Sequence, residues 1–565
     1  MDRKSLLTFI AIYSIAAGAA FFFGAKNDHD VASVVDQPAT YIIQGASSEA
    51  VAAAVRSVDG EITHELGIIN AVAATLTMPQ RNELLVNPAI LDISEDAAVK
   101  TAGGTAGGSP NIYAEFPALV GADQLHDAGF KGESVTVAIL DSGMAAIAEL
   151  QKDTSGSGRM QVRYNAIQDR EGRHNDNYGH GTHVASIIWN TDYADDGSMR
   201  RNSIAPDVRA ISIKAFNGQG NGTYANVIRG LDWVLANHAQ YNIKVLNLSF
   251  SAPAVSHYWD DPINQAVMRL WQEGIVIVAS AGNTGPDAMT IGVPGNNPYV
   301  ITVGAMSDNY TPADGSDDIL ASFSSAGPTV EGFVKPEVVA PGGHMTARSR
   351  VTSTIATQHP EFHDYDSYFT MSGTSQAAAV VSGIAALVLD ANPGMSNDDV
   401  KCRIIASAKP AVDASGNLAY SVFQQGAGRV DAVEAVFGSA SGCANRGLDI
   451  NADIAGDIHF GGRANVDENG NYYIMGLEGY LWTDGYLWTD GYLWTDGYLW
   501  TDGYLWTDGY LWTDGSIGAN GYLWTDGYLW TDGYLWTDGY LWTDGYLWTD
   551  ALTETAGVNH WVDQE

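Results

Sequence analysis

Four side chains in this sequence are of types that together carry out acyl transfer. Asp141 ends the apolar run "VTVAIL" (135–140), and His180 opens "HGTHVASII". Ser375 sits in "SGTSQAAA", and Asn283 follows "GIVIVASAG" (274–282). A hydroxyl supplies the nucleophile, an imidazole near neutral pKa the base, a carboxylate fixes the imidazole's tautomer, and a carboxamide donates a hydrogen bond to the oxyanion. Taken alone, Ser375 admits a second reading. It lies where a Gly-rich turn meets an apolar helix, and Ser is a good helix cap. The same position sets an attacking hydroxyl beside the positive end of the helix dipole. The other three residues favour the nucleophile.

The surrounding segments must bring these four together. Apolar runs at 135–140, 208–216 ("VRAISIKAF"), 243–250 ("IKVLNLSF"), 274–282 and 299–305 ("YVITVGA") alternate with amphipathic stretches such as "YANVIRGLDWVLANHAQ" and "INQAVMRLWQEG". Apolar strands separated by helices of this length predict an α/β fold, a parallel sheet with helices on both faces. Reactive groups in such sheets gather at the carboxyl ends of the strands. Asp141 and Asn283 stand at such ends, and His180 and Ser375 stand at helix mouths.

The segments "VAILDSG", "GHGTHVAS", "VLNLSF", "ASAGNTGP", "FSSAGP", "KPEVVAPG" and "SGTSQAA" resemble, in the same order, the catalytic domain of the subtilisin-like serine proteases. The chain order Asp, His, Ser is also that of this family. The resemblance implies a subtilisin-like fold over residues 111–446. It makes Asp141 the orienting carboxylate, His180 the general base, Ser375 the nucleophile and Asn283 the oxyanion donor, with no cofactor needed for catalysis. It also implies that Gly220, Asn221 and Gly222 on one side, and Ser249, Phe250 and Ser251 on the other, flank an extended peptide and pair with its backbone. Gly292 falls at the floor of the main specificity pocket, where a Gly leaves depth, and Thr284 brings no carboxylate. Large apolar or aromatic residues before the scissile bond are therefore expected. His183 reads as structural. His174 and Asp176, in a polar loop, read as solvated.

The chain has 565 residues, enough for two to four domains, and a net charge of −38 that argues against nucleic acid and anionic membranes as partners. Arg3 and Lys4 precede the uncharged run Leu6–Phe23, an export signal or, if uncleaved, an anchor within residues 1–25. Either way the expected location is secreted or extracytoplasmic, at the cell surface if the segment is retained. In an exported chain the two cysteines, Cys402 and Cys443, are expected to pair. The loop with Asp192, Asp195 and Asp196 reads either as a solvated acidic loop or as the start of a structural calcium site.

Residues 36–100 read as a small α/β unit and resemble the inhibitor-like propeptide of the same family. That implies a zymogen whose prodomain helps the sheet fold, blocks the cleft and is then cut away. A Gly/Thr/Ala/Ser-rich linker at 101–110 suits such a cut. After a connector at 447–478 come eleven copies of "GYLWTD" over 479–550, broken by "GSIGAN" at 515–520, and a tail at 551–565. The even period and the Asp-Gly steps favour a meander of short antiparallel strands, with a stacked solenoid as the alternative. Regular Trp and Tyr suit binding to a surface or polysaccharide, and a mere spacer is the competing reading. The chain as a whole reads as a monomeric, self-processing serine endopeptidase acting on proteins or peptides. The rivals are a surface-held processing protease and an adhesin built on an inactive protease fold.

Where the family usually has Met, two Ala and Pro after the serine, this chain has Gln376, Ala377, Ala378 and Ala379. Without that thioether beside the nucleophile, activity is expected to survive dilute peroxide better than is usual for the family. Complete inactivation within minutes, with no other oxidised Met to account for it, would refute this.

Overall fold

The computed structural model describes residues 38–101, 115–194, 198–309, 318–364, 367–413, 417–467 and 470–475, together with the backbone of the strands between 481 and 554. The signal-like segment and nearly all of the linker lie outside these residues.

The N-terminal unit is a four-stranded antiparallel sheet with two helices. It comprises β1 (Ala39–Gly45), α1 (Ser48–Ser57), β2 (Glu61–Leu66), β3 (Ala71–Leu76), α2 (Met78–Leu84) and β4 (Ile90–Glu95), with the strands in the order β2-β3-β1-β4. Ser47 starts α1 by accepting from the Ala50 N–H at 3.2 Å, and Thr77 with Gln80 forms a capping box on α2. Alternation along the strands divides the side chains between two cores. Ile43, Val72 and Ala74 pack with the unit's own helices, whereas Ile42, Ala71 and Ala73 join the main core. The short strand β5 (Ala98–Thr101) leaves this unit.

The main sheet contains β6 (Thr136–Asp141), β7 (Met160–Asn165), β8 (Arg209–Lys214), β10 (Ile243–Leu248), β12 (Val276–Ser280), β13 (Ile301–Ser307) and β14 (Val338–Pro341). The order is β13-β12-β10-β6-β8-β7, all parallel, with β14 parallel on β13. Two-residue antiparallel strands at Ile319–Leu320 and Arg170–Glu171 cover edges. Strands β6, β12, β13 and β14 are buried throughout, which is why they read as unbroken apolar runs. Beside the sheet, β9 (Asn221–Thr223) leads into α4 (Tyr224–Tyr241), and β11 (Phe250–Ser251) follows β10.

Two helices carry site residues. They are α3 (His180–Trp189) and α6 (Thr374–Ala391), which pack on each other. Helix α6 is apolar and long enough to cross a membrane, yet it is the core helix of the fold. The hairpin β15 (Met345–Arg348) and β16 (Tyr368–Met371) leads into α6 and is fastened to α3. His183 Nε2 lies 3.0 Å from the carbonyls of both Met345 and Phe369. Asp192, beyond the end of α3, accepts from Arg348 Nε at 2.6 Å and from the Tyr368 hydroxyl at 2.7 Å. Helix α7 (Asn397–Ser407) holds Cys402, which is bonded to Cys443 as expected.

The repeat tract departs from the meander. Each of its strands pairs in parallel with the strand 18 residues on: Leu481 with Leu499, Tyr486 with Tyr504 and Tyr492 with Tyr510. Three separate parallel sheets result, each taking every third strand. The tract is therefore a solenoid whose circuit takes three hexapeptides, and the Asp-Gly steps fall between strands of different sheets. An antiparallel hairpin would pair each unit with its neighbour in reverse. Parallel stacking sets like residues beside like wherever two intact units meet, and only the divergent unit and the last strand break the match.

Two stability predictions follow from this framework, both measured on a Ser375→Ala chain to prevent digestion. His183 is fully buried, donates from Nε2 and has no partner for Nδ1 among the described residues, and burial pushes its pKa down to about 4. The unfolded chain takes up this proton near pH 6.5 and the folded chain only near 4, so the stability His183 confers is present above 6.5 and lost as pH falls through that window. The stability gap to a His183→Gln derivative is expected to shrink by roughly 3 kcal/mol between pH 6.5 and 4 in urea titrations. A constant gap would contradict the neutral, buried assignment. Replacing Cys402 and Cys443, which are 41 residues apart, with Ser is expected to cost about 4 kcal/mol by loop closure.

Candidate active site

Asp141 is the last residue of β6, the strand between β10 and β8, and it is completely buried. Its carboxylate accepts the Ser142 N–H at 2.6 Å, and both oxygens lie 2.9 Å from Nδ1 of His180. His180, also completely buried, is the first residue of α3. The approach is close enough to forbid a side chain at the next position. A Cβ on Gly181 would stand 2.2 Å from the Gly143 carbonyl oxygen and 3.0 Å from Asp141 Oδ1. The glycine after the histidine in "GHG" is therefore a packing requirement.

The loop ahead of α3 differs from the solvated expectation. Asp176 and His174 are both buried. Asp176 accepts from the Ser142 hydroxyl (2.9 Å), the Tyr178 and Gly179 N–H groups (3.1 and 2.8 Å), and the Thr182 N–H and hydroxyl (2.8 and 2.7 Å). It caps the start of α3 and ties that helix to the residue after Asp141. An acidic residue just ahead of a helix start was the available signal.

Ser375 is the second residue of α6, and its Oγ donates to the Ser249 carbonyl at 3.0 Å. The Ser249 hydroxyl in turn donates to the Ser375 carbonyl at 2.9 Å and accepts from Asn247 Nδ2 at 2.8 Å. Asn247 Oδ1 accepts from the Ser382 hydroxyl at 2.9 Å. This buried chain pins the turn that carries the nucleophile to the end of β10, and sequence reasoning missed it. His180 Nε2 is buried without a hydrogen-bond partner among the described residues. For the pair to engage, Ser375 Oγ must turn from the Ser249 carbonyl to His180; catalytic hydrogen bonds often tighten only when substrate is bound for reaction.

Asn283 uses its side-chain oxygen to accept from Thr374, at 3.0 Å from the N–H and 2.8 Å from the hydroxyl. Only an oxygen satisfies both donors, so the NH₂ edge is the one presented elsewhere, as an oxyanion donor requires.

The residues assigned to the peptide cleft divide. Asn221 and Gly222 pair with Lys100 and Val99, and Phe250 and Ser251 pair with Thr101 and Lys100, so β5 lies antiparallel between β9 and β11. Gly220 sits in the turn before β9 and Ser249 just before β11, and neither is in the ladder. Phe250 is buried beside Phe216, with ring centroids 5.5 Å apart, and offers the cleft only its backbone. Gly292 stands close against Ser251 and Ala252. A Cβ there would meet Ser251 Oγ at 2.0 Å and the Ala252 carbonyl oxygen at 2.7 Å.

Asp192 is half-buried, and its Oδ2 accepts from Arg348 and the Tyr368 hydroxyl. Asp195 and Asp196 lie outside the described residues, among which no group of three or more His, Cys, Asp or Glu is placed to hold a metal.

Comparison with known proteins agrees with this geometry. Serine protease AprX of Bacillus subtilis (strain 168) is 38% identical over 279 residues, covering 48% of this chain and 60% of the relative. Subtilisin DY of Bacillus licheniformis is 32% identical over 292 residues, covering 51% of this chain and 89% of the relative. Subtilisin E of Bacillus subtilis (strain 168) is 30% identical over 352 residues, covering 62% of this chain and 78% of the relative. Fervidolysin from Fervidobacterium pennivorans, a keratinolytic enzyme related to subtilisin, has the same fold with a TM-score of 0.56 at 20% identity, covering 73% of this chain and 63% of that one. Residues 132–428 match the peptidase S8 family description, "Subtilase family". With its fold, its Asp-His pair and its serine all in place, the chain belongs to the subtilase family of serine endopeptidases.

Proposed function

We propose that the chain is an exported serine endopeptidase made as a self-inhibited zymogen. The observation that carries this is β5, a stretch of the chain's own backbone seated as the middle strand between β9 and β11, beside Ser375. A protein that binds an extended peptide in this way recognises main chain first. The N-terminal unit is held next to the cleft by further contacts. Gln44 Nε2 donates to Gln265 Oε1 (2.7 Å), Arg229 Nη2 donates to the Thr63 carbonyl (2.9 Å), and the Ile68 N–H donates to Asp232 (2.9 Å). Asp96 accepts the Ala225 N–H at 2.8 Å, in the first turn of α4. The unit thus buries one sheet face on the protease and delivers its last strand into the cleft. Export is supported by the Leu6–Phe23 segment and by the Cys402–Cys443 disulfide, which belongs to an oxidising compartment.

In the mechanism, Ser375 Oγ turns from the Ser249 carbonyl to His180 Nε2, gives up its proton there and attacks the scissile carbonyl. Asp141, accepting from Nδ1, fixes the tautomer and stabilises the imidazolium that forms. Asn283 and the first turn of α6 stabilise the oxyanion. His180 then protonates the leaving amine, and water hydrolyses the acyl-enzyme by the same path. Regular Trp and Tyr in the repeats at 479–550 favour a role in holding the enzyme on a surface or polysaccharide.

Expression of the whole chain beside a Ser375→Ala twin tests the proposal by mass spectrometry and casein hydrolysis. The active chain is expected to lose the unit that ends at β5 and to digest casein, while the twin does neither. Asn283→Ala is expected to lower kcat by roughly 10²–10³-fold. Two inert, full-length products would overturn the assignment.

A further inference from the structure

Resting on that endopeptidase reading, we propose that Ser251 fills the main side-chain pocket, restricting it to small residues.

The pocket lies between two glycines, Gly282 beside the oxyanion donor Asn283 and Gly292 opposite it. A Cβ on Gly292 would stand 2.0 Å from Ser251 Oγ, and one on Gly282 would stand 3.2 Å from the same oxygen. The hydroxyl therefore occupies space that both glycines leave vacant. It is held there by backbone. The Ala252 N–H donates to the Val293 carbonyl at 3.1 Å, the Val293 N–H to the Ala252 carbonyl at 2.8 Å, and the Gly292 N–H to the Ala281 carbonyl at 3.1 Å. The strand bearing Ser251 cannot draw away from Gly292 without breaking this ladder. A methyl group still fits beside the hydroxyl, whereas an aromatic ring would have to displace it. The large apolar preference expected from Gly292 alone gives way to a small one.

Strand β5 runs beside this pocket. Thr101 pairs with Phe250 and Lys100 with Ser251, while Val99 is fully buried opposite Gly222 and provides a separate apolar anchor. The Ser249 carbonyl, one residue before β11, receives the Ser375 hydroxyl at 3.0 Å, so the pocket stands next to the nucleophile.

The test uses the full chain and two peptide p-nitroanilides, Val-Lys-Thr-Ala and Val-Lys-Thr-Phe, with casein as a general substrate. The wild type is expected to favour the Ala peptide by ~10-fold or more in kcat/KM. Ser251→Gly is expected to raise kcat/KM for the Phe peptide by ~10-fold or more, with Ser251→Ala between the two. Casein digestion with a wild-type preference for Phe, or with a Phe rate indifferent to both substitutions, would overturn the pocket assignment while leaving the endopeptidase standing. Failure to cleave casein or either peptide would instead refute the endopeptidase reading.

Discussion

A carboxylate sealed at the end of an interior strand is costly unless it is closely paired, and Asp141 is in that position. Its two oxygens are answered by the Ser142 N–H and His180 Nδ1. Much of the surrounding geometry follows from keeping that pairing intact. His180 must open a helix that starts within reach of the strand end, so Gly181 lacks a side chain and the backbone can close in. Asp176 holds the start of that helix, and the hairpin β15–β16 is fastened to it by His183 and by the Asp192–Arg348 pair. The same hairpin feeds into α6 and so sets Ser375. The base and the nucleophile are thus fixed to one another through hydrogen bonds to main chain as much as through packing.

The cleft follows a different logic. Its walls, β9 and β11, are three- and two-residue strands that both pair with a third strand lying between them. Their own residues are small or turned inward: Gly222 has no side chain, and Phe250 faces the core. Recognition through backbone groups is indifferent to most of the bound sequence. On the proposed reading, selection falls to the few places where a side chain meets a shaped surface.

Much of this was legible in the sequence, for physical reasons. Strands buried on both faces must be apolar throughout, and reactive residues at their carboxyl ends stand out against such runs. The types and order of Asp141, His180, Asn283 and Ser375 were readable because each does chemistry no other nearby residue can do. The support was not readable. Asn247, Ser249, Ser382 and Thr374 are ordinary polar residues whose value lies in partners far away in the chain. His174 and Asp176 belong to a stretch that is polar by composition, and only the fold shows that it is covered. The surroundings of Gly292 were hidden for a related reason: the Ser251 hydroxyl that reaches the space beside it belongs to a distant part of the chain. The Asp-Gly steps of the tail misled because a hairpin is a local preference, whereas stacking of identical units is a collective one.

That stacking has a consequence for how the tail can change over generations. Since every third strand meets a copy of itself, adding or removing a unit moves the chain on by one side of the circuit and leaves the next rung a matching partner. Even the divergent unit keeps its place, with Ile517 aligned between Leu499 and Leu535. A tract with this property can grow or shrink by slipped copying of its gene without each new length having to be selected afresh as a fold. Reach from the enzyme to whatever the tail touches becomes a quantity that varies in small, heritable steps.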